Sequence, residues 1–406
     1  MRLRNRYVFA VLGLAVAVFP SPVSAESNIT IVASGLDAPR GIDFYGNRAV
    51  VAESGHGSDS AAGCFVPPGA PAGVKICIGN TSQISWVNTT TGSHTPLATG
   101  FFSIALSPSE TIGVSGISVR EGKIYAQIGA TSREVPPGFP IGSQAGLLIS
   151  VNASNGAWKT IAPVGDNDFD YTTQFTLPDP ATCGQCPGTN EHDANPTSVL
   201  ATENGWLVAD SGANTLTKVS KSGKTSIVHY FPWRDPTFTN FPADEVPTCV
   251  TTSGETTWVG TLAGHLYQVR GSKAIQVIPK NAAGSPLLTH VTGCTTDGDG
   301  SLYLVNMFGA GNMSDATFIN GSVIKYDPES AKASVLGTAF GNPALFLPYS
   351  PRIGPDGNLY VTTGAVCPKT GANPFGAGPN PCTLGTLGDI KGGRLVRINL
   401  SHEGDD

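Results

Sequence analysis

Thr197–Ala209 reads TSVLATENGWLVA: a small residue opens an apolar strand, a tight turn reverses it at Asn204-Gly205, and a second apolar strand follows. The pattern returns in Gly41–Ala52 (GIDFYGNRAVVA), Gly116–Gln127 (GISVREGKIYAQ), Thr248–Gly260 (TCVTTSGETTWVG), Gly293–Val305 (GCTTDGDGSLYLV) and Pro351–Thr362 (PRIGPDGNLYVT). A hairpin repeated at blade-sized spacing predicts one closed, toroidal β-fold in place of several independent domains.

Working outward, each hairpin is followed by two more strand-like segments. After Val208-Ala209-Asp210 come Asn214–Ser220 and Lys224–Phe231, joined by the turn Lys221-Ser222-Gly223. Four antiparallel strands make one propeller blade. Third strands read at 82–88, 145–152, 214–220, 263–270, 320–327 and 392–399, and outer strands near 94–99, 157–163, 224–231, 273–278 and 332–337. The sixth repeat has no outer strand, while Asn28–Ser34 (NITIVAS) is an orphan before the first. The expectation is an all-β, six-bladed β-propeller of four-stranded antiparallel blades, one domain over residues 26–406, closed by its N-terminal strand. Closure removes the exposed edges that invite aggregation.

Insertions fall unevenly. The segments 54–81, 129–144, 165–194, 308–319 and 364–391 all join a second strand to a third, or a fourth to the next first strand. Those connections share one face of a propeller, whereas every turn on the other face is short. Long irregular loops in a compact fold usually carry function, so the decorated face is the expected working surface.

Composition agrees with many short strands. Of 406 residues, 50 are Gly and 31 Pro, charged residues make up 13%, and 40% are hydrophobic, which excludes disorder. Arg2, Arg4 and Arg6, the apolar run 7–19 and the small residues Val23-Ser24-Ala25 form a secretory signal ending at residue 25. The apolar run is too short to span a bilayer. Without it, 21 basic residues face 30 acidic ones, a net charge of about −9, which argues against a nucleic-acid or anionic-membrane partner. A secreted protein, extracellular or periplasmic, with no membrane anchor is expected. It is expected to be a monomer whose partner is a small molecule or another exported protein.

Eight cysteines in an exported chain suggest disulfides. Proximity pairs Cys64 with Cys77, Cys183 with Cys186 and Cys367 with Cys382, although eight cysteines allow about 105 connectivities. Cys249 and Cys294 occupy one position of successive repeats, on neighbouring inner strands, and are paired on that ground. Glycosylation sequons begin at Asn28, Asn80, Asn88, Asn152, Asn312, Asn320 and Asn399.

Three segments carry a family resemblance: Asp193–Phe231, Glu245–Gly264 (EVPTCVTTSGETTWVGTLAG) and Asp297–Val305. Their Asn195-Pro196-x-x-Val199 and Val208-Ala209-Asp210-x-Gly212 patterns resemble the ScyD/ScyE-type secreted proteins, whose repeats are similar to NHL-type propellers. The similarity runs in order over most of the chain after the signal. Thr261 and Asn306 stand where that family's pattern has Glu, and the cysteine-bearing loops are additional. The resemblance implies the propeller fold and export more than a reaction.

Six polar residues gather at the expected channel mouth on the decorated face. Glu53, Asp210 and Asn306 end second strands, and Asn195, Glu245 and His290 precede first strands. Such a set suits a divalent cation such as calcium, held through oxygen ligands, or acid–base chemistry. The plainer reading is that Asp after Val-Ala caps the backbone of the next loop. Asp297-Gly298-Asp299-Gly300 resembles the start of a calcium loop, but it occupies a hairpin turn and no Glu follows at the required distance. Cys183-Gly184-Gln185-Cys186 lacks the helix that a redox dithiol needs and reads as a loop disulfide. His56, His94, His192, His265 and His290 show no paired metal-ligand spacing. Ser54 and Ser211 sit in turns, not in a nucleophile elbow. Trp206, Trp258, Tyr303 and Tyr360 recur at one place of the second strand and suit packing between blades, whereas Trp233 and Phe238 are freer to meet a ligand. Two functions follow: an accessory or small-metabolite-binding exported protein, or a metal-dependent, lactonase-like hydrolase with Glu53, Asn195, Asp210, Glu245 and Asn306 around one cation.

Overall fold

The computed structural model describes residues 28–66, 75–107, 110–174, 192–232, 244–309, 321–339, 342–367, 369–370 and 391–400. Its strands form six antiparallel sheets, the blades of a six-bladed β-propeller. Their first, innermost strands are Pro39–Tyr45, Val114–Arg120, Pro196–Thr202, Pro247–Ser253, His290–Thr296 and Pro348–Ile353. In blade six, Gly393–Ile398 is followed outward by Ile29–Leu36, paired antiparallel from Ile29 opposite Ile398 to Leu36 opposite Gly393. The ring is therefore closed by the N-terminal strand, as the orphan segment required.

Burial falls from the axis to the rim. Pro247–Ser253 is almost wholly buried, while the outer strand Thr225–Tyr230 has no buried residue. Inner strands lie between two neighbouring blades, so both faces are covered and both can be apolar or hydroxyl-bearing. The core consists of clusters at the seams, such as Leu216, Val250, Val259 and Val269 between blades three and four. Inner strands approach closely: a Cβ added to Gly293 would lie 2.1 Å from the Tyr349 carbonyl oxygen, so only glycine fits there.

Four details depart from the sequence reading. Blade one is larger than four strands, because its third and fourth strands run on as Lys75–Asn88 and His94–Ser107, and Glu110–Ile112 adds a further strand. Part of the expected loop 54–81 is thus sheet. Alternating Ile76, Ile78 and Ile104 give that extension an apolar face against the main core. Segment 165–194 begins with a helix, Val164–Thr172, whose sequence VGDNDFDYT carries little periodic apolar signal. Trp258, Tyr303 and Tyr360 stand three residues before Thr261, Asn306 and Thr363, but Trp206 stands four before Asp210. Tyr125 takes the shared place in blade two, and Trp206 packs edge-on against it at 5.1 Å across the seam.

The bridges Cys64–Cys77 and Cys249–Cys294 are both formed. Cys249 and Cys294 are nevertheless one step apart in register, since Cys249 lies opposite Gly260 whereas Cys294 lies opposite Leu304. The longer turn 297–301 of blade five shifts its sequence against blade four. Cys367 is disulfide-bonded, but its expected partner Cys382 lies outside the described residues, as do Cys183 and Cys186. Among the described residues no cysteine is free. Asn28, Asn80, Asn88, Asn152 and Asn399 are exposed, whereas Asn312, Asn320, Trp233 and Phe238 lie outside the described residues. No described helix is long and apolar enough to cross a membrane.

Candidate functional site

Every inner strand breaks its register near its start: between Pro39 and Ile42, Val114 and Gly116, Pro196 and Ser198, Pro247 and Cys249, Val291 and Gly293, and Pro348 and Pro351. A bulge re-aims the residue it contains. The residues so placed are Arg40, Ser115, Thr197, Thr248, Thr292 and Tyr349. Hydroxyl groups lace the ring: Thr248 Oγ1 donates to the Val291 carbonyl at 2.6 Å, and Thr292 Oγ1 to the Tyr349 carbonyl at 3.1 Å.

Five of these six residues line a cavity of about 480 Å³ at the channel mouth, on the decorated face. That volume suits a small molecule. Its lining includes the acids Glu110, Asp193 and Asp244. It also includes the apolar residues Val246, Leu262, Met307, Phe308 and Val366. Arg40 is 5% exposed; its Nη1 donates to Tyr349 Oη at 3.2 Å and its Nη2 to the Thr111 carbonyl at 2.6 Å. Its guanidinium also lies over the Tyr349 ring, 4.8 Å from the centroid.

Burial raises the pKa of all three acids above the ordinary carboxylate range. Glu110 is raised by burial against the opposing pull of Arg40, with repulsion from Asp193 adding to the rise. Asp193 is raised by burial, partly offset by a hydrogen bond with the Glu134 carboxyl and another from the Ala194 amide. Asp244 is raised by burial, offset by Asn214 Nδ2 at 2.6 Å. The Glu110 and Asp193 side chains keep accessible surface, and both line the cavity, so solvent there softens the shifts without reversing them.

The six residues expected at the mouth are not brought together; only Asn195 lines the cavity, and its Oδ1 accepts from the Ala130 amide at 3.0 Å. Glu53 accepts from the Asp37 amide at 2.5 Å, from Gln83 and from Ser85 inside blade one. Asp210 Oδ1 accepts from the amides of Asn195, Gly212 and Ala213. Asn306 accepts from the Thr289 amide and donates to the Leu287 carbonyl and Ser322. These three bonds, to Asp37, Asn195 and Thr289, are one device: the end of a second strand caps the chain entering the first. Glu245 lies 2.9 Å from His265 Nδ1 and accepts from Thr261, and His290 is buried edge-on to Phe308. Among the described residues no group of three or more His, Cys, Asp or Glu side chains is placed to hold a metal ion. The backbone-capping reading of Asp210 is thus the one its contacts support.

Asp210 has a second partner that no local pattern announces. Among the described residues its Oδ2 meets no N–H or O–H donor, and its carboxyl interacts with that of Asp168, which the helix Val164–Thr172 delivers to blade three. Asp168 accepts from Thr215 Oγ1 at 2.9 Å and Thr217 Oγ1 at 2.8 Å, and neither acid has any exposure. Two carboxyls in contact away from water retain a proton between them. Burial pushes Asp168 up to about 6, and burial with Asp168 repulsion pushes Asp210 well above its ordinary value. The folded state therefore holds protons that the unfolded state releases near pH 4. Stability from this pair is greatest below that pH and falls as pH rises through about 6. Asp168→Asn supplies an N–H to Asp210 at every pH. It is expected to raise stability at pH 8 by about 2 kcal/mol and to leave it nearly unchanged at pH 4.5, as read by urea unfolding at the two pH values. Equal effects at both would refute a shared proton.

No family model and no curated protein matches the chain. Among solved structures it is similar to a structural-genomics protein of unknown function from Bacteroides thetaiotaomicron, at 10% identity and TM-score 0.52, over 91% of this chain and 74% of that one. It is also similar to a gluconolactonase from Xanthomonas campestris, at 9% identity and TM-score 0.46, over 91% and 88%. The PQQ-bound aldose sugar dehydrogenase from Streptomyces coelicolor gives 12% identity and TM-score 0.45, over 91% and 98%. Likeness at such identities concerns the fold and carries no chemistry to this chain.

Proposed function

We propose that this chain is an exported accessory propeller of the ScyD/ScyE type that holds a small metabolite in the channel-mouth cavity. The observation that carries the reading is the cavity itself: it opens on the face that bears every long insertion, and it combines a buried arginine, three carboxyls and an apolar wall. Such convergence of a few polar groups on an apolar pocket is how small-molecule sites are generally built. Export rests on the signal-like segment 1–25 and fits the disulfides; N-terminal sequencing of the secreted chain should begin at Glu26.

The hydrolase alternative needs Glu53, Asn195, Asp210, Glu245 and Asn306 around one cation. Glu53, Asp210 and Asn306 are committed to backbone caps and Glu245 to His265, so no observation favours it. The binding reading is tested by incubating the purified protein with metabolite extracts and identifying what copurifies. Leu262→Trp, a half-buried position on the cavity wall, fills the space without removing a polar partner. It is expected to weaken capture at least about tenfold, equivalent to about 1.4 kcal/mol, with an unchanged melting temperature. Undiminished capture by this variant would place the ligand elsewhere.

A further inference from the structure

The cavity holds one pair of opposite charges that does not close on itself. Glu110 Oε1 stands 4.0 Å from Arg40 Nη2, beyond hydrogen-bond distance. Among the described residues the Glu110 carboxyl accepts no hydrogen bond, whereas Asp193 is bonded with Glu134 and Asp244 with Asn214. Arg40, more than nine-tenths buried and lining the same cavity, spends Nη1 and Nη2 on Tyr349 and Thr111, while its Nε has no hydrogen-bond partner among the described residues. A buried guanidinium N–H left without a hydrogen bond is costly, and a ligand that satisfies it recovers that cost, while the Glu110 carboxylate, accessible from the cavity, is free to take the ligand's cation.

The two groups ask for complementary things. Arg40 offers donors to an oxygen anion, in the planar arrangement that suits a carboxylate. Glu110, backed by Asp193 and Asp244, offers acceptors and negative potential to an ammonium. They stand a few ångströms apart, which is the separation of the two charged groups on one tetrahedral carbon. Leu262, Met307 and Phe308 give the same cavity apolar surface.

Resting on the binding reading above, we propose that the ligand is a zwitterionic α-amino acid, or a compound built on one, with an apolar side chain. Its carboxylate faces Arg40, its ammonium faces Glu110, and its side chain lies against Leu262, Met307 and Phe308. A ligand with only one of the two charges would bury the partner of the missing one unsatisfied, and discrimination of this kind is typically large.

Three probes of matched shape test this by isothermal titration calorimetry on the full exported chain: L-leucine, 3-methylbutylamine without the carboxylate, and 4-methylpentanoate without the ammonium. L-leucine is expected to bind at least about tenfold more tightly than either single-charge probe. Glu110→Gln, at a partly accessible position, is expected to weaken L-leucine and 3-methylbutylamine severalfold and leave 4-methylpentanoate unchanged. Equal binding of the amine or the acid overturns the zwitterion while leaving the cavity as a binding site. Failure of all three probes, alongside a metabolite whose capture Leu262→Trp abolishes, likewise overturns the ligand class alone. Failure of all three with no such metabolite overturns the cavity reading as well.

Discussion

A chain that begins at Asp37 is expected to lose the cooperative fold that a chain beginning at Glu26 retains. The deleted strand Ile29–Leu36 supplies the outer edge of blade six, and its Ala33 and Leu36 are 4% and 0% exposed. Ile29 and Ile31 pack on the cluster of Val361, Val396 and Ile398, and Leu36 on that of Ile42, Val51 and Leu395. Burying one such side chain is worth about 1.5–3 kcal/mol, so the strand carries an amount comparable with the whole stability of a typical protein, about 5–15 kcal/mol. Deletion also bares the ladder edge of Gly393–Ile398, a template for aggregation. Calorimetry should show no cooperative transition for the shorter chain, and light scattering should show association. A transition within a few degrees of that of the longer chain would mean that the ring holds without this closure. Leu36→Ala is a milder form of the same test, with an expected cost of about 2–5 kcal/mol.

The second large effect belongs to the Cys249–Cys294 bridge. It joins the inner strands of blades four and five across 45 residues of sequence. Loop-closure entropy for that span gives about 4 kcal/mol, against about 3 kcal/mol for the 13-residue span of Cys64–Cys77. Cys249 is moreover 3% exposed and belongs to the core around Trp258 and Leu304, so its replacement disturbs the seam as well. Denaturant unfolding of the Cys249→Ala/Cys294→Ala chain should show the larger loss, and Cys64→Ala/Cys77→Ala the smaller. The reverse order would show that the entropy of the unfolded chain does not govern these bridges.

The ring was legible because blades repeat. Each hairpin buries its faces against neighbours that need the same pattern, so period, strand count and the open place in blade six all follow from spacing. Register was less legible, because turn length varies between blades. The turn 297–301 is longer than Gly254-Glu255, which offsets Cys294 from Cys249, and Trp206 is likewise one step from the place of Trp258. The helix Val164–Thr172 was not legible, since it is held by Asp168 bonding to Thr215 and Thr217, contacts about fifty residues away in sequence.

The recurring polar residues were legible in the sequence, but where they point was not. Glu53, Asp210 and Asn306 attract attention because they recur, yet recurrence in a repeat protein marks a need shared between blades, here a cap on the entering chain in blades one, three and five. Distinctive chemistry lies where the repeat is broken. At the bulged place of the inner strand, Ser115, Thr197, Thr248 and Thr292 are small hydroxyl residues, and the large Arg40 and Tyr349 are the exceptions. They stand on adjoining blades, one and six, and bond to each other. That break was visible in the sequence once the bulge was known.

What the sequence determined by itself was therefore the scaffold: six blades, closure by the N-terminal strand, and one face carrying the insertions. Local turn chemistry and apolar alternation repeat with the chain, and each copy restates the same instruction. Tertiary structure alone decided that Arg40, Glu110 and Asp244 line one cavity, and that the Asp168 and Asp210 carboxyls meet away from water. Those groups come from different strands and connections, and their pairing depends on the angle and height at which each blade presents them, which no local pattern records.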